Sequence, residues 1–186
     1  GYASGWDFSL NYRCPFRTYG VFNFNTDWSY NTRSYTYTAV PGKAPLFADR
    51  QPGLGRWRGN AILDWRKGAW SANLGAFFFD NTPGATTTAA TYLALGSPGY
   101  IMKYYTNNID TYAVIQASAW SFNCSISYDF KQTEFKALRN TSVRLGVVNL
   151  TDRSPPLTSG ANGFDPGTSL ALAPGRTWTF ELTKRL

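Results

Sequence analysis

The stretch RTWTFELTKRL, which runs from Arg176 to Leu186, decides the fold that this sequence predicts. From Trp178 onward its apolar side chains fall on even positions and its polar side chains on odd positions, with Lys184 as the exception. Because side chains alternate across a β-strand, this pattern predicts a strand with one apolar and one polar face. Residues 141–152 predict a second such strand, and the turn-rich residues 153–175 predict a long loop between the two. A closing strand of this kind is expected of a barrel, since the last residues of a soluble domain are often loose.

The same alternation recurs through the rest of the chain and predicts seven strands in all. The other five cover about residues 6–16, 21–37, 56–66, 69–80 and 111–130. The fifth has the clearest pattern, because Trp120, Phe122, Ile126 and Tyr128 alternate with serine, asparagine and aspartate. No stretch has the periodicity of an amphipathic helix, so the sequence predicts an all-β protein.

The connections between these strands alternate in length. Residues 17–20 and 67–68 predict tight turns, whereas residues 40–55, 81–110 and 153–175 predict long loops. Short turns on one side and long loops on the other are typical of membrane β-barrels. The fold class is therefore predicted as an antiparallel up-and-down transmembrane β-barrel. Because the first residues already have a strand pattern, we expect residues 1–186 to be the C-terminal portion of a larger barrel.

A soluble β-sandwich also has alternating strands, but three features favour the membrane interpretation. Sandwich strands usually have ~5–6 residues, and the strands predicted here are about twice as long. Ten steps, as from Trp6 to Phe16, span ~33 Å, which a ~40° tilt projects to the ~25 Å apolar band of an outer-membrane barrel. The apolar parity of the first five strands carries no charge and many aromatic rings, in a chain with 17% aromatic and only 16% charged residues.

Composition also limits the chemistry. The chain has no histidine, which excludes Ser/His/Asp catalysis and histidine-bound metals, and no phosphate-binding loop is present. We therefore expect no enzyme activity, no cofactor and no metal site. The net charge of +7 favours an anionic partner, such as acidic lipid or lipopolysaccharide. Nucleic acid is not expected, because the basic residues are not clustered. Cys14 and Cys124 lie on the apolar parity of strands that an up-and-down order places ~19 Å apart, beyond the reach of a disulfide.

Two groups of residues are candidates for contact with a ligand. Six polar-parity residues are predicted to line the lumen: Asp27, Asn31, Arg58, Asp64, Asp129 and Arg144. Five aromatic residues near predicted loops are candidates for stacking on a ligand: Tyr35, Tyr37, Trp57, Tyr104 and Tyr105. Packing within loops or in an aromatic girdle is the alternative role for this second group.

Four motifs give the chain a resemblance to a known family. The segment Val147-Val148-Asn149-Leu150-Thr151-Asp152-Arg153-Ser154-Pro155-Pro156 resembles the N-L-x-D-x-x-P-P segment near the end of TonB-dependent outer-membrane receptors. Gly163-Phe164-Asp165-Pro166, followed by Pro174-Gly175-Arg176-Thr177-Trp178, is similar to the lead into their last strand. The hairpin at residues 64–72 is similar to their W-x-x-G-x-W-S-A hairpin, and residues 127–130 to their x-Y-D-F strand end.

The resemblance implies a barrel of 22 strands closed around an N-terminal plug, of which this chain would supply about the last third. It implies uptake of a scarce nutrient (a siderophore, cobalamin or a glycan), powered by a TonB-type energy-coupling protein that contacts the absent N-terminal region. The long loops would lie outside the cell. Such barrels usually end in Phe or Trp, whereas this chain ends in Leu186. The alternatives are a passive outer-membrane porin and a soluble carbohydrate-binding β-sandwich.

Overall fold

A computed structural model describes residues 2–35, 37–38, 46–47, 55–94, 96, 101–106, 109–130, 136–156 and 172–184. The main sheet contains seven strands, which are β1 (Tyr2–Phe16), β2 (Gly20–Tyr35), β5 (Trp57–Lys67), β6 (Trp70–Phe79), β10 (Ala119–Phe130), β11 (Thr141–Val148) and β12 (Thr177–Lys184). Two smaller sheets contain β3 (Tyr37–Thr38) with β4 (Leu46–Phe47), and β7 (Thr82–Thr88) with β8 (Ile101–Thr106) and β9 (Ile109–Gln116). A short helix, α1 (Ala89–Ala94), and a 3₁₀ turn at Lys136–Leu138 complete the described elements.

The seven strands of the main sheet follow one another in sequence order, and all neighbours are antiparallel. This confirms the predicted number of long strands and their up-and-down order. The turn predicted at residues 67–68 is also confirmed, with Gly68 at a φ of 59°. The sheet is open: among the described residues, β1 and β12 form its two edges and do not pair with each other. No helix within these residues is long and apolar enough to cross a membrane.

The prediction of a structureless loop at residues 81–110 is wrong. This segment contains β7, α1 and β8, and β7 pairs with β9 so that the hairpin of β6 and β10 continues past the main sheet. Two adjacent antiparallel strands leave the sheet side by side, and the threonine-rich sequence of β7 favours extended backbone. The predicted strand 111–130 is correspondingly divided into β9 and β10, with a break at residues 117–118.

The apolar face of the main sheet is not covered by a second layer of the described residues. Trp6 is 65% exposed, Trp178 is 62% exposed and Trp120 is 37% exposed, and only Ala119, Val147 and Leu172 are buried apolar residues within the described part of the chain. A β-sandwich would bury such a face against a second sheet. The main sheet is therefore a single layer within the described residues, and the large rings of its apolar face are exposed.

Aromatic rings form two rows across the apolar face. Near the long connections, the Trp57 ring lies 4.5 Å from Tyr30, and near the short turns, the Trp70 ring lies 4.7 Å from Tyr128. The sheet register places Trp57 ten residues before Lys67, the partner of Trp70. Ten residues span ~33 Å, or ~25 Å along a membrane normal at a ~40° tilt. Aliphatic side chains, such as Leu63 and its partner Leu74, lie between the rows.

A glycine allows the first of these rows to form. Trp28 is paired with Gly59, and a Cβ atom at Gly59 would overlap the Trp28 indole. The indole therefore lies across β5, and the centre of its ring is 5.9 Å from that of Phe78 and 6.0 Å from that of Trp120. Its Nε1 donates to the Thr26 hydroxyl at 2.8 Å, and that hydroxyl donates to Asn60 O at 2.7 Å, so both polar groups on this apolar surface are satisfied.

The tail is held by side-chain hydrogen bonds to the backbone. Asn149 is fully buried with a φ of 54°, and its amide donates to Arg153 O at 2.8 Å while its Oδ1 accepts from Arg153 N at 3.0 Å. Asp152 Oδ1 accepts from Arg176 N at 2.9 Å, at the start of β12. Lys184 Nζ donates to Ala137 O at 2.8 Å and to Arg139 O at 2.7 Å, so this off-pattern lysine is bonded to two carbonyl groups.

Candidate functional site on the polar face

The polar face of the sheet contains a groove close to the short turns. Its cavity measures about 530 Å³, and its polar lining residues are Arg13, Asn23, Asp64, Arg66, Ser71, Asn73, Ser125, Ser127 and Arg144. They come from β1, β2, β5, β6, β10 and β11, which is six of the seven strands. We call this feature the polar groove.

The strand register explains why these residues meet. Arg13 pairs with Asn23, Asn23 with Asp64, and Asp64 with Asn73, which forms one row across four strands. Residues that are directly paired across antiparallel strands project to the same face. A parallel row two residues nearer the turns contains Arg66, Ser71, Ser127 and Arg144. Together the two rows form the floor of the polar groove.

Hydrogen bonds hold part of this floor in place. Asn73 Nδ2 donates to Asp64 Oδ1 at 2.7 Å, and the Ser71 and Ser127 hydroxyls lie 2.7 Å apart. Arg144 Nη2 donates to Ser125 Oγ at 3.1 Å. The serines are accompanied by no histidine, because the chain has none. The hydroxyl pair therefore lacks the usual base that activates a nucleophile, and the arrangement is suited to binding through hydrogen bonds.

The electrostatics of the polar groove favour an anion. Among the lining residues, Arg13, Arg66 and Arg144 supply three positive charges and Asp64 supplies one negative charge. Glu181, the cross-strand partner of Arg144, adds a second negative charge beside the groove, which leaves an excess of one positive charge. Guanidinium groups bind carboxylates and phosphates through paired hydrogen bonds, and the hydroxyl and amide groups beside them suit polyhydroxylated ligands. The polar groove is thus chemically equipped for an acidic, oxygen-rich small molecule.

Two of the six predicted lumen residues, Asp64 and Arg144, line the polar groove. Asp27 and Arg58 lie on the same face nearer the long connections. Asp27 accepts a hydrogen bond from Ser9 Oγ at 2.7 Å, and the Arg58 guanidinium lies 5.8 Å from the centre of the Phe79 ring. Their role in lining a lumen stays a prediction.

The remaining two predicted residues also lie away from the groove lining. Asn31 is near the end of β2, where its amide donates to Gly55 O at 3.4 Å. Asp129 is one residue from the end of β10 and pairs with Ser142 of β11. The structure therefore brings Asp64 and Arg144 into one site and distributes the other four over the sheet.

Of the five aromatic candidates, Trp57 lies at the start of β5 and belongs to the aromatic row on the apolar face. This position matches the girdle packing that was the alternative role for the group. Tyr35 ends β2, Tyr37 lies in β3, and Tyr104 and Tyr105 lie in β8. The side chains of these four tyrosines lie outside the described part of the chain.

Sequence reasoning missed Arg13, Asn23 and Arg66 as members of a site. All three lie on the polar parity of their strands, which the alternation did indicate. Their convergence depends on the register, because Asn23 and Asp64 are far apart in sequence but directly paired. The short turns at residues 17–19 and 68–69 signal the register of β1 with β2 and of β5 with β6, since a tight turn fixes the register of the strands it joins. The register of β2 with β5 has no such signal, because a long connection joins these two strands.

Within the described residues, no group of three or more Cys, Asp or Glu side chains is arranged to hold a metal ion. Comparisons with protein-family models, with curated proteins and with solved structures found no match to this chain.

Proposed function

We propose that this chain forms part of the wall of an outer-membrane transport barrel that takes up a scarce nutrient. The observation that carries the proposal is the two-sided sheet, in which an exposed apolar face backs onto a polar, arginine-containing face. Trp6, Trp178 and Phe180 are exposed, and lipid is the environment that favours this arrangement. Removing apolar surface from water is favourable by about 25 cal/mol per Å². At the ~40° strand tilt of outer-membrane barrels, the ~33 Å between the aromatic rows projects to ~25 Å, the height of their apolar band.

The open edges of the sheet support a larger barrel. β1 presents a long edge and β12 a shorter one, and unpaired strand edges in hydrocarbon cost several kcal/mol per polar group. Further strands therefore complete the wall, and the polar face lines the interior. Together with the four motif resemblances, this supports the interpretation as a TonB-dependent receptor, with energy supplied through a TonB-type protein.

The polar groove supports a ligand with acidic or oxygen-rich groups. Siderophores and glycans carry such groups, and cobalamin carries amides and a phosphate. The excess positive charge of the groove attracts carboxylates and phosphates along the wall. In this arrangement the sheet provides both the lipid seal and one side of the transport path.

An uptake experiment tests the proposal. Cells with and without the gene for the full-length protein receive radiolabelled ferric siderophores, cobalamin or maltodextrin, in the presence and absence of a protonophore. We expect accumulation of one ligand class to require both the gene and the proton gradient. Gene-dependent entry that is insensitive to the protonophore would indicate a passive porin. Recovery of the protein in the soluble fraction without detergent would contradict the membrane assignment.

A further inference from the structure

A second cavity opens on the apolar face beside the start of β10. It measures about 660 Å³ and is lined by Trp120, Phe122, Thr151 and Arg153. β11 ends at Val148, two residues before the chain makes a backbone bond from Leu150 N to Phe122 O at 2.7 Å. After this bond the chain leaves the ladder, and Thr151 and Arg153 line the cavity together with the rings of β10.

One wall of this cavity is a pair of stacked rings. Trp120 and Phe122 have ring centres 6.0 Å apart and an angle of 12° between their planes. Phe78 also packs against Trp120, with ring centres 4.9 Å apart. This support holds the stack in a fixed orientation. A flat, apolar wall of this size suits an extended alkyl chain, and the cavity volume is in the range of small-molecule sites.

The same cavity is also lined by a cation, Arg153. Arg153 Nη2 donates to Ser118 O at 3.1 Å, and the Arg153 backbone is fixed by its two hydrogen bonds with Asn149. The adjacent carboxylate, Asp152, is bonded to Arg176, with its Oδ2 3.5 Å from Arg176 Nη2. A guanidinium has five N–H donors, so after its bond to a neutral carbonyl Arg153 retains donors for an anion.

From this geometry we propose that the cavity binds a lipid with an anionic phosphate headgroup. An acyl chain lies along the Trp120 and Phe122 rings, and the phosphate accepts hydrogen bonds from Arg153. The cavity lies toward the long connections, near the Trp57 aromatic row, where a girdle meets the headgroups. This inference rests on the proposed function, since it requires the apolar face to contact lipid.

Fluorescence quenching by brominated lipids tests this inference. The full-length protein and its W120F variant are prepared in mixed micelles that contain acyl-brominated phosphatidylglycerol or phosphatidylcholine. The difference between the two proteins isolates the Trp120 signal. We expect half-quenching of this signal at an about threefold to tenfold lower fraction of the anionic lipid, the effect of one hydrogen bond at a partly exposed site.

Charge variants identify the group responsible. R153Q is expected to abolish the preference and R153K to retain most of it, while R17Q, which removes the same charge from an exposed turn, leaves it intact. Unbrominated lipid A, a phosphorylated acyl lipid, is expected to relieve the quenching, and inorganic phosphate is not. A preference that survives R153Q, or relief by inorganic phosphate alone, would overturn the inference. Far-UV circular dichroism checks that each variant is folded.

The same measurement separates this inference from the proposed function. If neither brominated lipid quenches Trp120 or the other tryptophans, the apolar face does not contact lipid and the proposed function fails. If both lipids quench Trp120 equally, the membrane assignment stands and the phosphate site is wrong.

Discussion

Asn149 shows how one residue can organise a loop. Its side chain both donates to and accepts from the backbone of Arg153, and its backbone N donates to Asn123 Oδ1 at 3.0 Å. The positive φ of 54° is one that asparagine tolerates better than most residues. These bonds explain why asparagine is suited to the first position of the N-L-x-D segment. They also make the Asn149-Leu150-Thr151 sequence unsuitable for a glycan, because the amide is buried.

We predict that Asn149→Ala destabilises the protein by about 1–3 kcal/mol, because two buried hydrogen bonds lose their partner. The free energy of unfolding in urea, measured after refolding into lipid vesicles, checks this value. Asn11→Ala is the matched control, since Asn11 is exposed on β1. Similar losses for the two variants would show that the Asn149 bonds contribute little.

Arg144 carries one of the three positive charges of the polar groove. We predict that Arg144→Gln raises the KM for uptake of an anionic nutrient about threefold to tenfold, because one charged hydrogen-bond donor is lost. The nutrient is the one identified by the accumulation experiment, and uptake is measured over a range of its concentrations. Arg17→Gln, at an exposed turn position, is expected to leave the KM unchanged. An equal effect of the two substitutions would indicate a general charge effect.

At the scale of the elements, the Trp28 indole links four strands because Gly59 leaves room for it. Gly59→Ala places a methyl group where the indole lies, so we predict a loss of about 1–3 kcal/mol from overpacking. The same substitution in a Trp28→Leu background is expected to cost less, because the large ring is gone. Urea unfolding of the two single variants and the double variant measures this coupling. Additive losses would contradict the proposed contact.

The elements also show where sequence reasoning succeeds and where it fails. The seven long strands were predictable, because one face of each is apolar and the other polar, as in β10. The break at residues 117–118 leaves a trace in the sequence, since polar Gln116 and Ser118 interrupt the apolar even positions between Val114 and Trp120. β7 left no such trace, because TPGATTT does not alternate in polarity. β7 follows β6, and β9 leads into β10. The pairing of β7 with β9 therefore depends on where β6 and β10 leave the main sheet.

The polar groove and the apolar cavity were harder to predict for a related reason. Whether a residue has an odd or an even position in its strand predicts the face of the sheet on which it lies. To predict a site, the register between neighbouring strands must also be known. The register is fixed by turns for β1 with β2 and for β5 with β6, whereas long connections separate β2 from β5 and β6 from β10. The cavity beside Trp120 is lined by Thr151 and Arg153, which follow the end of β11 at Val148, and the predicted strand 141–152 overran that end by four residues.

At the scale of the whole molecule, the short turns and the long connections lie at opposite ends of the sheet. We predict that a membrane-impermeant maleimide labels Leu93→Cys in intact cells, because Leu93 is an exposed residue of α1 near the long connections. Lys67→Cys, at the opposite turn, is expected to react only after the cells are opened. The background has alanine at Cys14 and Cys124, which are both free thiols. Labelling of both sites in intact cells would contradict this orientation.

The order of the strands in the main sheet has a consequence for how this sheet folds. Each inner strand of the main sheet pairs with the main-sheet strand that precedes it and with the one that follows it in the sequence, so each new strand can add to an edge that already exists. Such local pairing lowers the entropic cost of loop closure and favours rapid folding. The sheet can therefore lengthen strand by strand as it folds, with each added strand serving as the template for the next.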